Sequence, residues 1–278
     1  EDTRYPARSM RTIGSYRIGA RLGSGASAAV YETWDAAGEP RALKLLHAEH
    51  GGHLELVARF YNERVVAAAV QHPGLCHVFD VGDHQGRPFL LLERLGPPLA
   101  SRRLAADERC AALAPVAAAL SALHRAGIIH RDLSPRNLLF EWPADRRRDQ
   151  GAAARLKVSD LGLAKVTGAA RLPVSTAHTE VLGCAEYRAP ESWLSAKDSD
   201  PAADVYGLGV VLYEQLAGAL PFRAARESEL MDLVLYQPPP PLPGGDAALA
   251  ALVRRMMAKK RAQRPTMSEV TDFLLARR

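Results

Sequence analysis

The pattern of apolar residues changes abruptly at Gly96-Pro97-Pro98. Before this point, short segments with alternating apolar residues are separated by turns such as AAGEP and DHQGRP, which predicts strands of an antiparallel sheet. The predicted strands are YRIGARLG, AAVYETWD, PRALKLLH, HVFDVGDH and PFLLLERL. One longer segment, LELVARFYNERVVAAAVQ, has helical apolar spacing and ends before His72-Pro73. The first third of the chain is therefore predicted to be mostly sheet with one helix.

The rest of the chain is predicted to be mostly helical. Long Ala- and Leu-rich stretches include DERCAALAPVAAALSALHRAG, ADVYGLGVVLYEQLAG and LAALVRRMMAKK. Asp107 is the predicted N-cap of the first stretch and Gly127 its C-terminal stop, while Pro115 should kink that helix or shift its start. We expect an α+β fold with a hinge near residues 92–99. For the tract PPPPLP at 238–243, a rigid loop between helices is favoured over a PxxP docking segment.

Composition indicates a globular protein, because 47% of the residues are apolar and 24% are charged. The net charge of +5 is spread along the chain and its short basic clusters lack interleaved aromatics, so nucleic acid is not a predicted partner. The three cysteines, Cys76, Cys110 and Cys184, lie far apart, as expected in a reducing compartment. There is no apolar run for a membrane span and no signal peptide at the start, so we predict a cytoplasmic location. Whether the parent protein is longer or membrane-anchored stays open.

The segment LGSGASAAVYE at 22–32 is a candidate phosphate-binding loop. Gly23 and Gly25 would let the backbone approach phosphates closely, although a glycine-rich hairpin turn is the commoner explanation. Lys44 follows on a predicted strand, where an isolated lysine is usually a solvated edge residue. Glu63 on the next helix changes this interpretation, because a buried lysine needs an anionic partner to stay charged and aimed. The pair could hold two phosphates of a nucleotide.

The segments HRDLSPRN and KVSDLGLAK supply the remaining chemistry. Asp132 and Asn137 are five residues apart in the first, and Asp160 lies in the second. Two carboxylates and an amide provide ligands for magnesium and one base, which is what phosphoryl transfer requires. A single loop aspartate is more often a turn former or a helix cap. The joint occurrence of these residues, in this order after the glycine loop and Lys44, favours a phosphotransferase.

With these motifs, the chain from Tyr16 to about Leu275 resembles a eukaryotic-type serine/threonine protein kinase domain of the bacterial sort. The resemblance implies a bilobal fold: an extension at 1–15, a nucleotide-binding N-lobe at 16–95 with an antiparallel sheet and one main helix, and a mostly helical C-lobe at 96–278. It implies transfer of the ATP γ-phosphate to serine or threonine hydroxyls of a protein substrate, in signalling. ATP and Mg²⁺, or Mn²⁺ in its place, are the implied cofactors.

The resemblance also assigns site residues. Lys44 anchors ATP with Glu63 as its partner, Asp132 is the catalytic base, and Asn137 and Asp160 bind the metal. The other residues expected around the nucleotide are Leu22, Gly23, Ser24, Gly25, Val30, Ala42, Leu92, Glu93, Leu95 and Leu139.

Further positions match the structural and regulatory motifs of the family. Leu161 replaces the usual phenylalanine after Asp160, a swap that should preserve packing. Ala189-Pro190-Glu191 closes the activation segment, and Arg264 is the expected partner of Glu191. Asp204 is a second anchor, and Arg131 could bind a phosphate on the activation segment. The candidate phosphorylation sites are Ser175, Thr176 and Thr179, with Thr176 or Thr179 favoured, and a homodimer could phosphorylate itself in trans.

Two departures from the family pattern concern the catalytic loop. Ser134 stands where serine/threonine kinases carry a lysine that contacts the transferred phosphate, and Cys184 replaces a threonine of the same network. Arg136 lies four residues after Asp132, where tyrosine kinases place an arginine that takes over the role of the lysine. Arg136 could therefore be catalytic or merely a solvated residue, and both readings stay open.

The motifs are compatible with three functions. A kinase with reduced turnover is favoured, because the nucleotide, metal and base residues are all retained. The first alternative is a nucleotide-binding pseudokinase that acts as a scaffold, since Ser134 and Cys184 depart from the pattern. A small-molecule phosphotransferase is disfavoured by the segment around Glu191 and by the region through Arg264, which build a platform for peptide substrates.

Overall fold

The computed structural model describes residues 12–142, 155–167, 184–195, 199–243 and 245–277. Its N-terminal part is a six-stranded antiparallel sheet with the strand order β1-β2-β3-β4-β6-β5. The strands are β1 (Thr12–Ile13), β2 (Tyr16–Ser24), β3 (Ala28–Trp34), β4 (Pro40–Leu46), β5 (Val78–His84) and β6 (Arg87–Glu93). The five predicted strands are confirmed as β2 to β6, whereas the two-residue strand β1 was not predicted.

One helix, α1 (Leu54–Ala69), packs against this sheet. Its buried residue Phe60 joins an apolar cluster with Leu46 and Leu90 from β4 and β6, whereas its buried Val66 belongs to the larger core of the C-terminal part. The helix ends before His72-Pro73, as predicted, because the residue before a proline disfavours helical geometry.

The C-terminal part is mostly helical, as predicted. The helices are α2 (Glu108–Arg125), α3 (Pro190–Leu194), α4 (Pro201–Ala217), α5 (Glu227–Tyr236), α6 (Ala247–Met256) and α7 (Met267–Leu275). The largest apolar core of the described residues is built mainly by α2, α4, α6 and α7, and most of α4 is buried. The α+β architecture is therefore confirmed. Within the described residues, no helix has the length and apolar character to span a membrane.

Five short strands in this part were not predicted. They are β7 (Leu95–Pro98), β8 (Ile128–Ile129), β9 (Leu138–Glu141), β10 (Leu156–Val158) and β11 (Lys165–Val166). They form a three-stranded sheet in the order β10-β9-β7 and a separate pair, β11-β8. Because β6 ends at Glu93 and β7 begins at Leu95, the chain changes sheets across Arg94, inside the predicted hinge. The boundary between residues 95 and 96 stays a prediction.

Three local predictions concern helix α2. Asp107 occupies the predicted N-cap position directly before the helix, but its side chain forms no capping hydrogen bond. Glu108, the first residue of the helix, accepts through its Oε2 from the backbone N–H of Ala105, before the helix, at 3.0 Å. Pro115 lies inside the helix without shifting its start. Gly127 follows the last turn with φ +72°, the left-handed conformation that favours glycine, which confirms the predicted stop.

Candidate active site

Lys44 lies on β4, a central strand between β3 and β6, and its side chain is only 16% exposed. The alternative of a solvated edge lysine is therefore wrong. Its Nζ donates to Glu63 Oε2 at 2.7 Å and to Asp160 Oδ1 at 3.2 Å. The lysine thus connects α1 to the segment after β10, two elements that are distant in sequence.

The charges of these three residues depend on one another. Burial alone would lower the pKa of Lys44, but the carboxylates of Asp160 and Glu63 outweigh it and raise that pKa. Burial raises the pKa of Glu63, and Lys44 opposes this shift. The Lys44 ammonium holds the pKa of Asp160 below its usual range. At neutral pH, Lys44 is therefore a cation and Asp160 a carboxylate.

Asp160 is held in place by its neighbours along the chain. Its φ of +61° is left-handed, which is uncommon for a residue with a side chain. Leu161 is 2% exposed and belongs to the large core, so leucine fills the position of the usual phenylalanine.

The sequence did not predict the role of Asn62, a buried polar residue beside Glu63. Its Nδ2 donates to the carbonyl oxygens of Gly162 at 3.3 Å and Ala164 at 3.0 Å, which ties α1 to this segment.

Asp132 and Asn137 are in direct contact. Asn137 Nδ2 donates to the backbone oxygen of Asp132 at 2.8 Å and to its Oδ2 at 3.0 Å. The other carboxylate oxygen, Oδ1, accepts from the backbone N–H of Cys184 at 3.3 Å. The carboxylate is thus oriented from two sides by groups that do not neutralise it.

Asp204 on α4 fixes the backbone that precedes Asp132. Its buried carboxylate accepts from the backbone N–H groups of His130 and Arg131, both at 2.9 Å, and from His124 Nε2 at 2.7 Å. Burial alone would raise the pKa of Asp204, but the hydrogen bond and charge of His124 outweigh it and lower that pKa. Arg131 has φ +71°, so this anchor holds a sparsely populated backbone conformation. The predicted anchoring role of Asp204 is confirmed.

The two predicted metal ligands fit a hard divalent cation. Asn137 uses its amide nitrogen for Asp132, which leaves the amide oxygen uncommitted to that residue. The Asp160 side chain is ionised and 47% exposed. Oxygen donors of this kind suit Mg²⁺.

The departures from the family pattern meet beside Asp132. Ser134 is 1% exposed, whereas Arg136 is exposed. Burial raises the pKa of the Cys184 thiol, and the neighbouring Ser134 hydroxyl and Arg136 guanidinium partly offset that shift. Ser134, Arg136 and Cys184 therefore lie in one neighbourhood, and Arg136 brings a cation to it.

Most of the residues expected around the nucleotide base lie in one apolar cluster. It contains Val30, Ala42, Leu92, Leu95 and Leu139, from the strands β3, β4, β6, β7 and β9. The cluster therefore combines residues of the N-terminal sheet with β7 at the hinge and β9 beyond it.

Glu93 and the glycine-loop residues differ from this cluster. Glu93 Oε1 accepts from Lys157 and Oε2 from the backbone N–H of His77, so its side chain is already paired. Leu22, Gly23 and Ser24 end β2, Gly25 begins the turn after it, and all four are exposed. A Cβ added at Gly23 would meet no atom within 4 Å, so local packing does not require glycine there.

Arg264 and Glu191 form the predicted pair. Arg264 NH1 and NH2 donate to the two carboxylate oxygens of Glu191 at 2.7 and 2.8 Å. The side chain of Arg264 is fully buried and that of Glu191 is 9% exposed. The candidate phosphorylation sites Ser175, Thr176 and Thr179 lie outside the described residues.

Comparisons with known proteins agree with this geometry. Residues 16–273 match the family described as protein kinase domain. The chain is 38% identical over 256 residues to the serine/threonine-protein kinase Pkn1 of Myxococcus xanthus, covering 89% of this chain and 36% of that protein. It is 35% identical over 242 residues to PknA of Mycobacterium tuberculosis, covering 83% and 53%. To PknJ of the same species it is 35% identical over 264 residues, covering 90% and 43%. The chain thus spans about a third to a half of the length of these relatives.

Proposed function

The chain belongs to the protein kinase family, and on this premise we propose that it is a serine/threonine protein kinase that transfers the γ-phosphate of ATP to protein hydroxyl groups. The observation that carries the proposal is the position of Lys44, which contacts Glu63 and Asp160 at the same time. Kinase catalysis needs both the lysine–glutamate ion pair and the metal-binding aspartate in place. The serine/threonine class is proposed because the relatives Pkn1, PknA and PknJ carry that description.

The phosphates of ATP are assigned to Lys44 and to the backbone of the turn that contains Gly25. Lys44 offers a fixed positive charge, and Glu63 holds that charge in place. Protein kinases use ATP with a divalent metal, and we assign the metal to Asn137 and Asp160. When bound, the metal neutralises phosphate charge, and Mg²⁺ is the ion that we expect.

The nucleotide base is assigned to the apolar cluster at the hinge. Val30 and Ala42 would cover one face of the base, and Leu139 the other. Leu92 and Leu95 line the hinge, where the carbonyl oxygen of Glu93 and the backbone of Leu95 can offer hydrogen bonds. The Glu93 side chain is excluded from this role because Lys157 and His77 already occupy it.

Asp132 is assigned as the catalytic base. Asn137 and the backbone N–H of Cys184 orient its carboxylate, so it can accept the proton of the substrate hydroxyl as the new bond to phosphorus forms. Arg136 is assigned as the cation that stabilises charge on the transferred phosphoryl group, which Ser134 cannot do.

The setting of the reaction is also part of the proposal. We expect a protein substrate, autophosphorylation at Thr176 or Thr179, and a homodimer in which one copy phosphorylates the other. A cytoplasmic location fits the free cysteines Cys76, Cys110 and Cys184. The pseudokinase alternative gains no support from the comparisons, whose named relatives are kinases.

The test is phosphate transfer from γ-labelled ATP to a generic protein substrate and to the protein itself, with Mg²⁺ or Mn²⁺. Asp132→Asn is the matched control, because it removes the base and leaves Lys44, Glu63 and Asp160 unchanged. We expect label on serine or threonine that disappears in Asp132→Asn, while the Kd for ATP stays nearly the same. ATP binding without transfer by the unmodified protein would instead support the pseudokinase.

A further inference from the structure

Three consecutive backbone carbonyls of the turn at residues 24–27 accept hydrogen bonds from residues just after β4. His47 Nε2 lies 3.2 Å from the carbonyl oxygen of Gly25, and His50 Nε2 lies 3.2 Å from that of Ala26. The backbone N–H of His47 donates to the carbonyl oxygen of Ser27 at 2.8 Å. Two of these three contacts depend on histidine side chains.

The turn has few other anchors. Ser24, Gly25 and Ala26 are exposed, so no core side chain holds this part of the loop. The backbone bond from Gly25 N to the carbonyl of Ala28 closes the turn at 2.9 Å, and the Ser24 hydroxyl lies 3.5 Å from the Gly25 oxygen and 3.4 Å from His47 Nε2. A segment with so few buried contacts opens readily unless polar contacts hold it.

The histidine contacts have a defined chemistry. A carbonyl oxygen can only accept, so both rings must carry a proton on Nε2 to bind it. The Gly25 and Ala26 carbonyl oxygens point toward the two rings and therefore away from the phosphate chain, whose oxygens would repel them. Apart from the Gly25 N–H, which donates to Ala28, the N–H groups of the turn then remain available, and such groups bind phosphate.

We propose that His47 and His50 are positioning residues that hold the turn at 24–27 against the end of β4 and preorganise it for the phosphates of ATP. His47 is three residues after Lys44. The side chains of His47 and His50 therefore fix the turn relative to the Lys44 ammonium, which we assign to the same phosphates. A loop that is ordered before binding costs less free energy to immobilise in the complex. This inference rests on the proposed function.

The test compares His47→Ala and His50→Ala with three other variants. His47→Gln and His50→Gln keep an amide N–H near the position of Nε2. His53→Ala removes the third ring of the cluster, which lies edge-on to His50 at 5.6 Å, is exposed, and forms no hydrogen bond with the turn in the described residues. The readouts are the Kd for a non-hydrolysable ATP analogue with Mg²⁺, the KM for ATP, kcat, and hydrogen exchange of the amides at 24–27.

We expect each alanine variant to weaken analogue binding and raise the KM for ATP by about twofold to tenfold, the usual effect of one hydrogen bond, with kcat changed less. Amide exchange at 24–27 should become faster. The glutamine variants should recover most of the affinity, and His53→Ala should match the unmodified protein. Where an alanine variant does not fold, asparagine, whose amide is too short to reach the turn, takes its place.

Unchanged or tighter analogue binding in the alanine variants would overturn the inference, as would an equal loss in His53→Ala. The proposed function can fail separately, because an unmodified protein that binds the analogue without transferring phosphate would still allow the affinities to be compared.

Discussion

Glu63 is the more buried of the two carboxylates that contact Lys44, with a side chain 5% exposed. A buried carboxylate without its cation is costly unless it takes up a proton. Lys44→Met should therefore raise the pKa of Glu63 further. A group with a raised pKa in the folded state contributes stability below its unfolded pKa and loses it as the pH rises through the folded pKa. We expect Lys44→Met to lower the free energy of unfolding by about 3 kcal/mol at pH 8 and by much less at pH 5.

Urea unfolding at both pH values, with Glu63→Gln and the double variant Lys44→Met/Glu63→Gln, tests this prediction. The double variant should lose the pH dependence and be more stable than Lys44→Met at pH 8, because no carboxylate remains unpaired at position 63. An equal loss of stability by Lys44→Met at pH 5 and pH 8 would show that Glu63 is not the cause.

Replacing Arg136 distinguishes a catalytic arginine from a merely solvated one. If its guanidinium replaces the missing lysine, Arg136→Gln should lower kcat/KM by about tenfold or more and leave the Kd for ATP nearly unchanged. Adding Ser134→Lys to Arg136→Gln should restore part of the rate, because a cation returns to the loop. Steady-state kinetics with Arg254→Gln, an exposed position on α6, provide the control. A normal rate in Arg136→Gln would identify a solvated surface residue.

Residue chemistry was predictable where the spacing along the chain defines it. The order of Asp132, Asn137 and Asp160 after Lys44 indicated phosphoryl transfer, and the resemblance to protein kinases gave each residue its expected role. The burial of Lys44 could not be assigned, because a shift of one residue in strand register reverses the face that a side chain occupies. Asn62, His47 and His50 were missed because their partners are backbone carbonyls that lie far away in sequence.

At the scale of elements, Arg264 joins the short helix α3 to the start of α4 and to the loop after α6. Besides Glu191, its guanidinium donates to the carbonyl oxygens of Ala202, Ala258 and Lys259. Arg264→Ala should lower the free energy of unfolding by about 3–5 kcal/mol, because Glu191 loses its partner in a buried site. Arg226→Ala, which removes an exposed pair with Glu229, should cost about 0–1 kcal/mol. Denaturant unfolding of both variants measures the difference, and similar losses would contradict the assigned role.

Long elements were predictable and short ones were not. Helix α1 and the strands β2 to β6 have clear periodicity and end at turn residues or near a proline. The strands β7 to β11 have two to four residues each, and β7 pairs with β9 across more than forty positions of sequence. Such strands are defined by pairing rather than by local pattern. Asp107 lies at the predicted N-cap position, but its backbone is already helical, whereas a capping side chain usually extends from a non-helical residue.

At the scale of the whole molecule, the N-terminal sheet and the helical part meet around the candidate nucleotide site. Asn62 on α1 binds the segment after Asp160, and Cys76 N donates to the Val158 oxygen at 2.8 Å. Val158 N in turn donates to the Gly74 oxygen at 2.8 Å. A ligand that binds across this junction stabilises both parts together.

We therefore expect ATP with Mg²⁺ to raise the Tm, since a ligand at 100 times its Kd stabilises the folded state by about 2.7 kcal/mol. For a chain of this size that corresponds to a rise of roughly 5 °C. Replacing Mg²⁺ by a chelator should reduce the rise, because Asp160 is held ionised by Lys44 and is available to the metal. Asp160→Asn should abolish the difference between Mg²⁺ and chelator, whereas Asp232→Asn on the exposed side of α5 should preserve it. Thermal unfolding followed by fluorescence provides the measurement, and a difference that persists in Asp160→Asn would exclude Asp160 as a metal ligand.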